Sequence, residues 1–323
     1  MKRTINLWLV ALLLVGCAAG APSDAAPEFG TAVSNQTEPH EHAEGEGAAH
    51  EHILEDEATG EVQVALVASE IVIGPNRFAV GLLDADGSMI HDADVHLHYF
   101  DLSQEPPVVE SEVDAERLQT PDGQTTIYAH ERSFDRAGDW GVEIQAQRPD
   151  GTTALKRIGF VVLADSPSIA PGEAAPRIHT PTASDVDDDL AKLTSAPEPN
   201  PAFYQLGLDD ALASGKPTLL LFATPAFCQT RFCGPDYEIV SAFQQRHADA
   251  LNFIHVEVFT GLPNPAENDW QMAPAMAAFG LNTEPWLYLI DDNGQVVYRI
   301  EGLFTAEELE RHVQPLLQAA GSK

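Results

Sequence analysis

The sequence predicts two folded domains in tandem, an all-β sandwich followed by an α/β domain, behind a leader with no core of its own. Three observations predict this. The 323 residues are too many for one ordinary core and suit two domains of roughly 100–150 residues each. Between residues 61 and 164, apolar and polar residues alternate with the period of strands. From residue 201 onward, short apolar strands alternate with helical patterns, the order of an α/β sheet. A hydrophobic fraction of 44% is enough to build both cores.

The leader comes first. Lys2 and Arg3 precede an apolar run from Leu7 to Val15 that is too short to span a bilayer as a helix. Leu14-Val15-Gly16-Cys17 then resembles the lipobox of bacterial lipoprotein signals. That resemblance implies a signal peptide over residues 1–16, cleaved before Cys17, and a lipid on Cys17 that holds the chain to a bacterial membrane outside the cytoplasm. Residues 17–60, rich in Ala, Gly, Glu and His, read as a flexible tether. It carries His40-Glu41-His42 and His50-Glu51-His52. Imidazole suits copper, zinc and nickel, so His40, His42, His50 and His52 are candidate metal ligands; a solvated spacer is the alternative. The formal net charge of -33 repels nucleic acid and anionic headgroups, which argues against either as an electrostatic partner.

In the sandwich, Val62, Val64 and Leu66 alternate, as do Phe78, Val80 and Leu82. Val95, Leu97 and Tyr99 repeat the pattern, as do Val142, Ile144 and Ala146. Turn signals at Asp84-Ala85-Asp86-Gly87, Pro121-Asp122-Gly123 and Pro149-Asp150-Gly151 separate the strands. Residues 61–164 are therefore expected to form an immunoglobulin-like sandwich. The stretch from Asn76-Arg77-Phe78 to Asp86-Gly87, with Ala137-Gly138-Asp139-Trp140, resembles the extracytoplasmic YtkA-like and FixH-like sandwich domains. If Val95, Leu97 and Tyr99 face the core, then Asp94, His96 and His98 share the outer face. His96 and His98 are then near enough to chelate one ion, with simple exposure as the alternative. Residues 165–200, rich in Pro, Ala, Ser and Asp, read as a linker with one short helix at Val186 to Leu193.

The second domain, residues 201–320, is expected to contain a helix from Leu208 to Ser214 and a buried strand from Thr218 to Phe222. A helix from Pro235 to His247 follows, then strands at Phe253 to Phe259, Trp286 to Ile290 and Val296 to Ile300. A last helix runs from Thr305 to Leu317, with Thr305 as N-cap and Glu308 completing a capping box. Gly215-Lys216-Pro217-Thr218-Leu219-Leu220-Leu221-Phe222 resembles the strand that leads to the active site of thioredoxin-like proteins. Thr283-Glu284-Pro285-Trp286 resembles the cis-proline loop of that family, which lies opposite its cysteines. The resemblance implies a thioredoxin-like fold and assigns Cys228, Cys233 and Pro285 to a thiol–disulfide site.

The cysteine motif departs from the family, because Cys228-Gln229-Thr230-Arg231-Phe232-Cys233 separates the two thiols by four residues instead of two. Residues five apart on a regular α-helix are rotated by about 140° and do not face each other. A disulfide needs α-carbons within about 7 Å, so the pair can bridge easily only if residues 228–233 form a loop. The helix would then start near Gly234, with Pro235 in its first turn. On that reading Cys233 sits at a helix N-terminus and is the lower-pKa thiol, although Asp236 and Glu284 oppose thiolate formation.

Four readings of the pair stay open at this level. As a redox pair it exchanges with a thiol or disulfide partner protein and needs no cofactor. As a structural disulfide it pins the loop. As metal ligands the thiolates bind copper, as in the copper chaperones of cytochrome oxidase assembly, with His255 or His312 as the histidine available in this domain. His255 lies inside an expected strand, where packing or a local hydrogen bond is the simpler role. Thr230-Arg231-Phe232-Cys233 is also similar to the Thr-x-x-Cys of peroxiredoxins, with the preceding proline one residue out of place.

Overall fold

The structure is a computed structural model that describes residues 62–228 and 230–320. The signal peptide, Cys17 and the tether with His40, His42, His50 and His52 lie outside the described residues. No helix among the described residues is long and apolar enough to cross a membrane.

Eight strands build the first domain: β1 Gln63–Leu66, β2 Gly74–Leu83, β3 Asp94–Asp101, β4 Val108–Asp114, β5 Glu116–Gln119, β6 Thr126–Phe134, β7 Gly138–Gln147 and β8 Thr153–Val162. They form two antiparallel sheets, in the orders β1-β2-β6-β5 and β4-β3-β7-β8. The alternation read from the sequence sets their inner faces. Phe78, Val80 and Leu82 of the first sheet share one core with Val95, Leu97, Tyr99, Val142 and Ile144 of the second. On β3 the expected split holds: Val95, Leu97 and Tyr99 are buried, and His96 and His98 point outward.

The second domain has a central sheet in the order β10-β9-β11-β12, from β9 Thr218–Ala223, β10 Asn252–Glu257, β11 Trp286–Ile290 and β12 Val296–Glu301. β9 and β10 are parallel, while β11 runs antiparallel to both β9 and β12. Helices cover both faces. α2 Cys233–His247 and α4 Ala306–Ala320 pack against Leu219, Leu221, Leu287 and Leu289. α1 Leu208–Ala213 and α3 Pro274–Ala278 pack against Leu220, Phe222 and Tyr288. Successive residues of β9 thus serve opposite faces, which is why the strand reads as a continuous apolar run. This is a sheet with helices on both faces, the α/β layering that the sequence predicts.

Two expectations change. Residues 165–200 do not hang free as a linker but lie against the second domain. The N–H of Ile169 donates to Phe279 O at 3.1 Å, that of Gly172 to Val296 O at 2.8 Å, and that of Ala175 to Gly294 O at 2.9 Å. The expected helix at Val186 to Leu193 is two 3-10 turns, Ala183–Val186 and Leu190–Lys192. Between them Asp187 and Asp188 take left-handed φ values of 55° and 61°, which aspartate tolerates and a helix does not. The capping box on α4 is half formed. Thr305 Oγ1 accepts from the Glu308 N–H at 3.2 Å, but the Glu308 carboxylate turns to Arg77 of the first domain.

That turn marks the domain interface. The outer face of sheet β1-β2-β6-β5 contributes Ala79, Leu118, Ile127 and Ala129 to a small apolar cluster with Phe232 and Leu303 of the second domain. Beside it, Arg77 Nε donates to Glu308 Oε1 at 2.6 Å and Nη2 to Oε2 at 3.1 Å, with side chains only 6% and 5% exposed. Nη2 also donates to Leu303 O at 2.6 Å. Arg299 pairs with Glu70 at 2.6 Å, and Tyr298 donates to Glu131 at 2.8 Å. Gly302 shows how close the domains come. Its φ is +76°, and a Cβ there would stand 2.6 Å from Cγ1 of Val67.

Removing one partner of a buried ion pair leaves the other charge without compensation. Arg77→Met is expected to cost about 3–5 kcal/mol in urea unfolding. Arg77→Met with Glu308→Leu is expected to recover most of that loss, since neither variant charge is then stranded.

Candidate active site

β9, wholly buried, delivers the chain to Thr224 at the end of the sheet, where a turn closes with the Phe227 N–H donating to Thr224 O at 3.1 Å. Cys228 follows, and α2 begins at Cys233, one residue before the expected start. The two cysteines form a disulfide with α-carbons 6.0 Å apart. It can form because Cys228 lies outside the helix and only Cys233 is in its first turn. Arg231, with φ 63°, makes the tight return between them.

The two sulfurs differ in burial and in their hydrogen bonds. Cys233 is fully buried in the core between sheet and helices, whereas Cys228 is only half-buried where it packs against that core. The N–H of Cys233, at the N-terminus of α2, donates to Cys228 Sγ at 3.4 Å, and Thr230 Oγ1 lies 3.2 Å from the same sulfur. Cys228, not Cys233, therefore receives the helix-end N–H that stabilises a thiolate. Sequence reasoning placed the helix end correctly but assigned its field to the residue on the helix. The sulfur that accepts the N–H belongs to the loop in front of it.

Pro285 is buried just before β11, with a cis Glu284–Pro285 bond as the resemblance implies, and its carbonyl accepts from the Gly302 N–H at 3.0 Å. Thr230 and Phe232 of the cysteine loop meet Thr283 and Glu284 of the proline loop in one cleft of ≈ 230 Å³. Leu66, Val67, Met89 and Ile127 of the sandwich form its other wall. Val67, Met89, Ile127 and Phe232 were not singled out from the sequence, and Leu66 only as part of a strand pattern. A lone aromatic between cysteines carries no visible sign of its partner, which lies more than a hundred residues earlier.

The acids near the site are less hostile to a thiolate than their types imply. Burial pushes the Asp236 carboxyl well above the usual range, outweighing the N–H of Phe304 at 3.5 Å and the charge of Arg77. Burial also pushes Glu284 up. Both are driven toward their neutral forms, so the repulsion expected from them weakens.

The two candidate histidines of this domain, His255 and His312, are engaged elsewhere. His255 is buried, with Nδ1 2.8 Å from the Tyr204 hydroxyl and Nε2 3.0 Å from Ala223 O, and burial lowers its pKa to about 3. A ring with both nitrogens engaged offers no lone pair to a thiolate-bound ion. His312 Nε2 lies 3.1 Å from Glu131 at the domain interface, and its ring stacks on Tyr298. His96 and His98 are brought together on the far side of the sandwich, with ring centroids 4.7 Å apart. Glu112 of β4 joins them; the sequence pattern did not reveal it, because the pairing of β3 with β4 is not written in either strand alone.

No family model matches the chain, and no curated protein matches it. Solved structures similar to part of it include a thiol:disulfide interchange protein of the thioredoxin family from Chlorobium tepidum TLS, at 19% identity over 48% of this chain and 99% of that one, with a TM-score of 0.31. StoA from Bacillus subtilis is similar at 20% identity over 31% and 84% of the two chains, with a TM-score of 0.26. CopC from Methylosinus trichosporium OB3b is similar at 9% identity over 33% and 96%, with a TM-score of 0.23.

Two outcomes follow from the site's geometry. In the reduced protein iodoacetamide is expected to modify Cys228 at least about 10-fold faster than Cys233, as peptide mapping by mass spectrometry would read. Comparable rates would contradict the assigned roles. For Asp236, folding raises the pKa of an acid, so the folded state holds the proton more tightly than the unfolded state. Its contribution to stability is therefore present at low pH and falls as pH rises above about 4. Asp236→Asn removes that penalty, and its stability relative to the parent chain is expected to rise between about pH 4 and pH 8 in urea titrations.

Proposed function

We propose that the chain is an extracytoplasmic thiol–disulfide oxidoreductase, anchored to a bacterial membrane through a lipid on Cys17, that works through Cys228 and Cys233. The observation that carries this is the disulfide whose outer sulfur, on Cys228, is half-buried at a helix N-terminus while the inner one is sealed in the core. Such a pair has one sulfur to be attacked and one to leave.

In the exchange, a partner thiolate attacks Cys228 Sγ. The Cys228–Cys233 bond breaks, and its electron pair leaves on Cys233, which takes up a proton. A mixed disulfide now joins Cys228 to the partner. The partner's second thiolate attacks its own sulfur in that bond, releasing Cys228 as a thiolate that the Cys233 N–H and Thr230 hydroxyl accommodate. Two electrons pass from the partner's dithiol to the pair, and the same steps reversed deliver them. Pro285 and its loop form the wall against which the partner chain lies, and no cofactor takes part.

The test is the equilibrium of the 228–233 disulfide with glutathione or dithiothreitol. A potential between about -120 and -270 mV is expected for a catalytic pair, while one well below about -300 mV would mark an inert structural bridge. Cys233→Ser should then accumulate a mixed disulfide at Cys228 on mixing with a reducible substrate, because the resolving thiol is gone. For the anchor, Cys17→Ala is expected to move the protein from the membrane fraction to the soluble one.

A further inference from the structure

The paired histidines of β3 take no part in the cysteine chemistry. The register of β3 against β4 sets His96 opposite Asp114 and His98 opposite Glu112. Directly opposed residues of antiparallel strands share a face, so two imidazoles and two carboxylates meet on the outer side of sheet β4-β3-β7-β8. Asp114 Oδ1 lies 2.7 Å from Nδ1 of His96. A carboxylate only accepts, so the ring donates from Nδ1 and keeps a lone pair on Nε2. That Nε2 stands 3.9 Å from Glu112 Oε2, and Nδ1 of His98 stands 3.5 Å from Glu112 Oε1. The His98 Nδ1 is buried and has no hydrogen-bond partner.

What this arrangement lacks is a positive charge. Two ring nitrogens converge on one carboxylate, with one ligand atom from each residue within 4.8 Å of the others. Arg157, across the same sheet, is committed to Glu143 at 2.7 Å. A single ion between the three side chains answers all of them at once.

We propose that His96, His98 and Glu112 bind one divalent first-row transition ion, Cu²⁺ in preference to Zn²⁺, at an open site whose remaining positions are filled by water. Two imidazoles and a carboxylate suit those ions, and the usual order of affinities places Cu²⁺ above Zn²⁺. Asp114 is a positioning residue: it fixes the His96 tautomer and makes the ring a better donor.

The test uses the full chain with the disulfide intact, so that thiolates supply no ligand, and with His40, His42, His50 and His52 all replaced by Asn. Titration with Cu²⁺, and separately with Zn²⁺, in excess Ca²⁺ and Mg²⁺ is expected to show one bound ion per chain, with copper spectra carrying hyperfine structure from two nitrogens. His96→Ala or His98→Ala is expected to weaken binding at least about 100-fold, and Asp114→Asn about 10-fold with the stoichiometry unchanged. Should His98→Ala disturb the strand, Glu112→Gln is the second probe, expected to weaken binding about 10-fold or more while leaving metal-free unfolding as before. Absence of a stoichiometric site in the tether-substituted chain would overturn the proposal. So would affinities unchanged in both His96→Ala and Glu112→Gln.

Discussion

The rest of the molecule depends on the burial of Arg77. A guanidinium sealed between domains must have every donor answered, and here Glu308 and the carbonyls of Leu303 and Glu301 answer it. Those acceptors lie at the end of β12 and the start of α4, so Arg77 fixes where the sandwich sits as well as holding it there. A bidentate contact tolerates little rotation, and the charge has no alternative partner once the domains close. Glu70 and Arg299 repeat the device a short way off, with the signs of the two domains exchanged. Two opposed pairs resist both sliding and turning.

The cysteine loop lies in the shadow of that interface. Phe232, immediately before Cys233, is buried among Ala79, Leu118, Ile127 and Ala129 of the sandwich. The loop is thus held at its α2 end both by the helix and by another domain. This matters for exchange chemistry, because a reduced Cys228 released from its partner would otherwise carry a flexible loop with it. With Phe232 docked, the conformational freedom regained on reduction is confined to the few residues before it, which keeps the two sulfurs near each other. Val67 against Gly302 closes the same cleft from the sandwich side. The cleft beside the cysteine loop is therefore a composite surface, one wall from each domain.

Much of this was legible in the sequence, and the boundary is physical. Strands β9 and β11, the helix ending at His247 and the outward placement of His96 and His98 all follow from local period and turn chemistry, which act over a few residues, while the Pro285 loop was legible only through a family resemblance. Residues 165–200 misled because proline and alanine mark a chain without regular elements, yet an extended backbone still donates hydrogen bonds to a sheet it lies beside. Glu308 misled for a related reason. The capping box was a sound local choice, but a buried arginine from another domain offered the carboxylate a stronger partner than its own N-cap. The roles of Cys228 and Cys233 depended on burial, and Cys233 is buried in a core that also draws on Phe203 and Leu289, neither of which is near it in the chain.

Thiol chemistry and metal binding stood as rival readings of one sequence, and the fold separates them. The sandwich has two outer faces. That of β1-β2-β6-β5 is spent on the second domain and walls the cysteine cleft, while that of β4-β3-β7-β8 carries His96 and His98. Between them lies the whole thickness of the sandwich, with sheets packed about 10 Å apart. A thiolate of Cys228 cannot ligate an ion held at His96, and an ion at His96 cannot lower the pKa of Cys228 directly. Oxidation of the thiols and an ion at the histidines would therefore be independent variables of the same molecule, coupled through the docking that Arg77 secures.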